Sequence, residues 1–281
     1  MTLRNNLSKL AFITVTTSFF FACSTTKRVP DEERLLTANE IFVNNKAESS
    51  ETVHNQLYQK PNSNILGYAL RLHLYNMAKV NPDSTYQAWL DKHPGNERFL
   101  TKFLSAKQVD RLGTSFFVSG LGRTLKNLGE APAIYDAERT SKSIKRLKNF
   151  YFNQGYFNTK VTLEADTLKP KKIEAFYHVN TGKPYVYDSI STQIASIDLD
   201  TLYHKNERPS LLKTGDQYNA LKLDEERERI TNYFRNNGAY DFQKTYINYE
   251  LDTIKNNYNA DLVVNIDNKT IVTNESGTLS V

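Results

Sequence analysis

Little in this sequence points to covalent chemistry. Its 281 residues include one cysteine, one tryptophan and two methionines. A single cysteine excludes a disulfide-stapled scaffold and any cysteine-rich metal module. No apolar run reaches the roughly 20 residues that a helix needs to cross a bilayer. A mean hydropathy of −0.57 excludes a polytopic helical membrane protein. Neither sign of charge dominates: 36 Lys+Arg face 31 Asp+Glu, and the basic residues are interspersed among acids, as in Lys142–Lys148 beside Glu138 and in Glu225–Arg235. Such a surface is no nucleic-acid footprint, and no nucleic-acid partner is expected. Aromatics are plentiful instead, with 17 Tyr and 15 Phe. They argue for a folded, β-containing chain, and the length suggests about two domains.

Acidic residues are also missing before Asp31. Arg4 and Lys9 form a positive start, and Leu10–Ala22 (LAFITVTTSFFFA) is an apolar run of 13 residues. That is an export signal, too short to span a bilayer. Cys23 follows it directly, after Phe20, Phe21 and Ala22. The arrangement resembles a bacterial lipobox, in which a small residue precedes a cysteine that becomes acylated. The other reading of Cys23 is a buried hydrophobic cysteine in an N-terminal helix. Acylation would hold the protein on a membrane without a spanning helix. Residues 1–22 are then the signal peptide and 23–33 a polar tether. Export argues against ATP- or NAD-dependent chemistry, and no cofactor is expected.

The chain repeats itself. Lys145–Phe157 (KRLKNFYFNQGYF) aligns with Glu228–Tyr240 (ERITNYFRNNGAY) at an offset of 83. Leu147, Phe150 and Tyr151 match Ile230, Tyr233 and Phe234, the apolar stripe of a helix. Gly155 and Gly238 fall where a left-handed closing residue is expected. Alternating runs follow each helix: Val161, Leu163 and Ala165 against Ile247, Tyr249 and Leu251, then Ile173–Val179 against Ala260–Ile266 at offset 87. Period two with one polar face predicts half-buried antiparallel strands. Upstream, Leu35–Val43 and Tyr185–Ile194 read as strands, Glu51–Lys60 and Glu207–Lys213 as helices. The fold class is therefore α+β, two tandem modules of order β-α-α-β-β.

That order, with a helix closing on Asn-x-Gly-aromatic at Asn153–Tyr156, resembles the POTRA domain of the BamA/TamA superfamily. Val29–Leu36 (VPDEERLL), Gln59–Gly67 (QKPNSNILG) and Gly182–Tyr185 (GKPY) are similar to its lipoprotein branch, the TamL type. Ala239 departs from the pattern, where an aromatic is usual. The expected organisation is a first module over 34–182 with an insertion at about 61–134, and a second over 183–267. The tail, 268–281, could open a further module, and no barrel is expected within this length.

Within the insertion, Leu100, Phe103, Leu104 and Val109 suit one helix, and Phe117, Leu121, Leu125 and Leu128 another, closed by Gly129. Leu66–Met77 suits strand or helix. These residues either pack on the first module or form a docking surface. Trp89 is either a partner anchor or a core residue. No catalytic constellation emerges. His54, His73, His93, His178 and His204 lack metal-ligand spacing, with His178 expected to face solvent. Ser119–Gly122 lacks a phosphate-loop context, and Asp198/Asp200 lie in loop-like composition.

What remains is binding by backbone. A three-stranded sheet leaves edge N–H and C=O groups able to accept an extended segment of another chain. The resemblance implies the second strand of each module as that edge, Lys160–Asp166 with Lys160, Val161, Thr162, Leu163 and Glu164 in the first and Thr245–Asp252 with Thr245, Tyr246, Ile247, Asn248 and Tyr249 in the second; the other reading of either strand is a merely solvated edge. It implies a non-enzymatic protein, lipid-anchored to the outer membrane through acyl chains on Cys23, with its modules facing the periplasm. Its partners would be unfolded outer-membrane proteins and an outer-membrane barrel or TamB-like protein. A barrel-less periplasmic scaffold or partner-binding lipoprotein is the alternative.

Overall fold

The computed structural model describes residues 24–78, 82–113, 120–167, 170–205, 209–254, 257–268, 270–273 and 277–280. Cys23 and the expected export signal, residues 1–22, lie outside these residues. The first module opens with strand β1 (Leu35–Val43), its short partner β2 (Lys46–Ala47) and helix α1 (Glu51–His54). The insertion contributes α2 (Leu70–Met77), α3 (Pro82–Lys92), α4 (Pro94–Leu100), α5 (Ala106–Gly113) and α6 (Leu121–Leu128). Then come α7 (Ala137–Phe152), β3 (Lys160–Asp166) and β4 (Lys172–Asn180). The second module is β5 (Val186–Ile194), α8 (Ile197–His204), α9 (Ala220–Asn236), β6 (Ile247–Asp252) and β7 (Asn259–Ile266), followed by a hairpin of β8 (Thr270–Thr273) and β9 (Gly277–Ser280). One sheet has the order β2-β1-β4-β3, the other β5-β7-β6. The fold is α+β, with the β-α-α-β-β order present twice. Two compact units divide the chain: residues up to Glu40 with Tyr58–Thr140 and Glu164–Phe176, and Ile41–Leu57 with Ser141–Leu163 and Tyr177 onward.

Both long helices begin and end by the same chemistry. Tyr135-Asp136-Ala137 and Tyr218-Asn219-Ala220 stand 83 residues apart. The Asp136 carboxylate accepts from the N–H groups of Glu138 and Arg139, and the Asn219 side chain from that of Leu221. Each satisfies orphan donors of a first turn. At the other end Gly155 and Gly238 take φ of +87° and +112°. The next residue's N–H then reaches five residues back, Tyr156 to Tyr151 and Ala239 to Phe234. This is the closure in which a left-handed glycine lets the chain turn back and satisfy a helix carbonyl.

In the second unit, Ala260, Leu262, Val264 and Ile266 of β7 are buried, alternating with half-buried neighbours. Leu262, Val264 and Ile266 pack with Leu223, Ile230 and Phe234 of α9 and with Tyr187, Leu212, Phe242 and Ile247. α9 also buries Glu226, which is 1% exposed. Arg229 donates to it through Nε and Nη2, both at 2.7 Å, Ser210 through Oγ at 2.8 Å and Leu211 through N at 3.1 Å. The first helix of this module is α8, about ten residues before the expected Glu207–Lys213. Ser196 caps it through the N–H of Leu199, and Asp198 and Asp200 occupy its first turn. Residues 209–213 instead run without helix, held by Glu226.

In the first unit, the helix expected over Glu51–Lys60 stops after one turn at His54. The side chains beyond it are committed to the loop before α7. Gln59 donates to the Ile134 carbonyl and accepts from the Asp136 N–H. Asn62 donates to the Ala131 carbonyl and accepts from the Ala133 N–H. These pairings bring the two ends of the insertion together. Leu66–Met77 resolves as helix α2. The single helix expected across Leu100–Val109 is two, because Ser105 and Gln108 form a reciprocal capping box that starts α5. Phe117 lies outside the described residues. Tyr86, Leu90 and Val109 form a small core of the insertion. Trp89 is 42% exposed, so it is no core residue, and its ring stacks on that of Tyr86. Residues 24–29, expected as tether, are tied to α2: Asn76 donates to the carbonyls of Ser24 and Thr25, Lys27 donates to the Asn76 carbonyl, and Val29 is buried.

Candidate docking edge

The register of β6 on β7 decides which backbone groups face outward. Ile247 pairs with Ile266, Tyr249 with Val264 and Leu251 with Leu262, antiparallel. The Asp267 N–H donates to the Tyr246 carbonyl, one step before that run. In an antiparallel ladder the hydrogen-bonded pairs alternate with pairs whose N–H and C=O point away from the partner. Asn248 and Glu250 therefore spend their backbone groups on β7, and Tyr249 and Leu251 turn theirs to the open edge; Ile247 faces the same way, but its N–H donates to the Lys244 carbonyl. The Ile247 carbonyl fits this assignment, since it accepts from Arg227 Nε at 3.0 Å rather than from β7. The side chains of Ile247, Tyr249 and Leu251 stand on the sheet face that packs on the core: Ile247 is buried, Tyr249 and Leu251 half-buried. Tyr249 donates its hydroxyl to the Leu223 carbonyl under the Arg227 guanidinium. Burial pushes its phenol far above the ordinary tyrosine range. The edge strand is thus pinned at Ile247 and Tyr249, with the outward backbone groups of Tyr249 and Leu251 turned to the open edge.

The opposite edge of that sheet is covered at its start. β5 runs parallel to β7 with an irregularity between Tyr187 and Ser189, and a bulge there breaks the regular outer row. The stretch before it is paired with its own loop: the Tyr187 N–H donates to the Asp216 carbonyl, the Gly215 N–H to the Tyr187 carbonyl, and Val186 bridges Gln217. Glu226, by holding Ser210 and Leu211, anchors the start of that loop.

The four-stranded sheet follows the same plan. The outer side of β1 is covered near its start, where the Leu36 N–H donates to the Ala133 carbonyl, and near its end by β2. β3 occupies the other edge. Its Lys160, Thr162 and Glu164 are exposed and alternate with half-buried Val161 and Leu163. The edge residues expected from sequence thus lie on edge strands, with one correction. Thr245 and Tyr246 are in a 3-10 turn, Lys244–Tyr246, that precedes β6. That turn follows from Phe242, buried against Phe234, which brings the chain back before it can extend. Leu251, within the expected edge Thr245–Asp252, also turns its backbone outward. Only the ladder register identifies it.

Other candidate residues do not assemble. His178 is half-buried and stacked on Phe42, rather than facing solvent. His73 is buried against Tyr68. Burial, with a smaller contribution from Lys172, holds its imidazole below the ordinary histidine range. Among the described residues no group of three or more His, Cys, Asp or Glu could hold a metal ion. No described helix is long and apolar enough to cross a membrane.

The second unit also contains a joint between the end of α7 and the start of the second module. The Tyr185 N–H donates to the Gly155 carbonyl at 2.9 Å, Ala220 N–H to that of Asn153 at 2.8 Å, and Gln217 Nε2 to that of Gln154 at 2.6 Å. Phe157 lies 5.0 Å from the Tyr185 ring and 4.9 Å from that of Tyr218. A Cβ on Gly155 would sit 3.0 Å from the Tyr218 carbonyl oxygen. Glycine is required there twice over, for its φ and for this close approach.

Comparison with known proteins adds a partial likeness. The POTRA model, described as surface antigen variable number repeat, matches residues 97–182. No curated protein matches the chain. Similar solved structures include BamA from Haemophilus ducreyi lacking POTRA domains 1–3, at 16% identity and a TM-score of 0.33. That alignment covers 50% of this chain and a quarter of that one. BamA POTRA3–5 from Haemophilus influenzae aligns at 13% identity and a TM-score of 0.29, over 85% of this chain and 99% of that one. POTRA1–2 of Omp85 from Anabaena aligns at 11% and 0.29, over 84% and 96%.

Proposed function

We propose that this chain is a non-enzymatic POTRA-type protein of the TamL kind, whose modules bind extended client segments for outer-membrane protein assembly. Binding occurs by addition of a strand to β6 and, in the first module, to β3. One observation carries the reading: in the three-stranded sheet the start of the β5 edge is paired with its own loop and followed by a bulge, while Tyr249 and Leu251 turn their backbone to the open β6 edge. Main-chain pairing reads little of a client's side chains, which suits a receiver of many sequences. The clients are unfolded outer-membrane proteins, and an outer-membrane barrel or TamB-like protein is the further partner. Acyl chains on Cys23 hold the protein on the outer membrane, with the modules in the periplasm. The ties between Ser24–Thr25 and Asn76 support an anchor with little slack.

Two substitutions test this. Leu251→Pro removes one outward N–H without touching a ladder bond, a placement that edge strands tolerate. It should abolish crosslinking of a client strand to β6 while the far-ultraviolet spectrum stays unchanged; undiminished crosslinking would contradict edge binding. Cys23→Ser should release the protein to the soluble periplasmic fraction, and continued membrane association would contradict the anchor.

A further inference from the structure

Two aromatic rings of the insertion stand together in solvent. Phe99 is 60% exposed and Phe103 75%, and the rings meet edge to face with centroids 5.4 Å apart. Local sequence puts them there. Leu100 and Leu104 turn inward onto the core of Tyr86, Leu90 and Val109, which carries the residue before each of them toward the outside. Arg98 and Lys102, both exposed, precede the two phenylalanines. A cation beside an aromatic, repeated one turn later, suits the boundary between lipid headgroups and acyl chains. The surrounding charge has the matching sign. Over Pro94–Leu128 six basic residues, Arg98, Lys102, Lys107, Arg111, Arg123 and Lys126, stand against two acidic ones, Glu97 and Asp110. That local excess of four is most of the chain's net +5, and all six basic side chains are exposed.

The start of the chain is fastened close by. Asn76 Nδ2 donates to the Ser24 and Thr25 carbonyls, Lys27 Nζ donates to the Asn76 carbonyl, and Arg28 donates to that of Ala78 with its guanidinium over the Tyr75 ring. Two cations thus satisfy carbonyls at the C-terminal end of α2. The segment directly after Cys23 is fixed to the last turn of that helix. Pro82, where α3 begins, is six residues beyond Asn76, which limits their separation to about 20 Å. We propose that the exposed aromatic and basic side chains of the insertion seat on the anionic surface of the lipid bilayer that holds Cys23. This seat presupposes the acylation of Cys23 proposed above. Acyl chains fix one point of the protein and leave its orientation free; Phe99 and Phe103 supply a second point. The two rings enter the headgroup boundary, and the arginine and lysine side chains meet lipid phosphates.

Trp89 is the only tryptophan, so the full acylated chain carrying Trp89→Phe and Phe103→Trp has one fluorescent probe at the contact. Both positions are exposed, and the far-ultraviolet spectrum should stay unchanged. On vesicles of phosphatidylcholine and phosphatidylglycerol the emission should shift to the blue, and brominated acyl chains should quench it at least about twofold. Adding Arg98→Glu and Lys102→Glu should abolish the quenching while the protein still floats with the vesicles, because its acyl chains remain. Undiminished quenching in that variant would overturn the anionic surface as the occupant. Flotation of the probe chain with its tryptophan unshifted and unquenched would overturn the seat and leave the anchor standing. A probe chain that fails to float would overturn the anchor and, with it, the seat. A blue shift that grows with protein concentration in the absence of vesicles would also overturn the proposal, by assigning these side chains to contact with a second copy of the chain.

Discussion

Changing Glu226 to Gln should destabilise the second module by about 2–3 kcal/mol, because it removes the charge from a buried carboxylate that four donors surround. Breaking one member of a buried ion pair costs about 3–5 kcal/mol in general. Arg229 keeps 15% of its side chain in solvent and glutamine preserves the shape, which places the loss at the lower end. With a slope of about 2 kcal/mol per molar urea, the midpoint at pH 7 should fall by about 1–1.5 M. The pH dependence has a definite sign. Burial alone would raise the Glu226 pKa, but the hydrogen bonds from Arg229, Leu211 and Ser210 hold it below the ordinary glutamate value. A lowered folded-state pKa contributes stability that is present above the unfolded value of about 4.3 and is lost as pH falls through the folded one. The gap between wild type and Glu226→Gln should therefore be full at pH 7 and close in acid. Local exchange supplies a second readout, because Glu226 anchors the loop that pairs with β5. The amides of Gly215 and Tyr187 should exchange faster in the variant, while that of Leu262 in β7 changes only with the global midpoint. A midpoint within about 0.2 M of wild type at pH 7 would refute the assignment of Glu226 as the clamp of this loop.

Other perturbations separate the remaining contacts. Gly155→Ala should cost about 2–4 kcal/mol, from left-handed strain plus overlap with the Tyr218 carbonyl, whereas Gly238→Ala should cost about 1–2 kcal/mol from strain alone; equal losses in urea titrations would contradict the joint. Tyr151 and Tyr187 are each pushed up to about 12, chiefly by burial. A raised folded-state pKa means stability that is intact below the unfolded value of about 10 and lost as pH rises through about 12. Alkaline unfolding should thus fall in that window, and Tyr187→Phe should weaken the pH dependence. Gln59→Ala strands the Asp136 N–H and the Ile134 carbonyl, which should cost about 2 kcal/mol and speed exchange at Asp136.

Local periodicity carried much of this fold into view. Alternation at Ile173–Val179 and Ala260–Ile266 marks the central strands because one face of each must be buried, and Gly155 and Gly238 mark helix ends because few other residues take their φ. The repeated Tyr-Asx-Ala at Tyr135 and Tyr218 was equally visible at offset 83 and would have fixed the helix starts. So was Ser105-x-x-Gln108, whose reciprocal bonds divide the insertion helix. α8 was misplaced because Asp198 and Asp200 resemble loop composition until Ser196 is recognised as their cap. Long-range partners leave no such trace. Nothing near Gln59 announces Ile134, and nothing near Gly155 announces Tyr218. The outward set on β6 depends on a register that only the Asp267–Tyr246 bond and the pairing with β7 reveal.

Amide exchange of the whole chain, measured residue by residue with and without an unfolded outer-membrane β-strand peptide, addresses the central claim most directly. The account predicts that the peptide slows exchange at Tyr249 and Leu251, whose N–H groups face the open edge, and leaves Ser191–Ile194 of β5 unchanged. Protection of β5 with β6 unaffected, or no protection on either strand at saturating peptide, would contradict it.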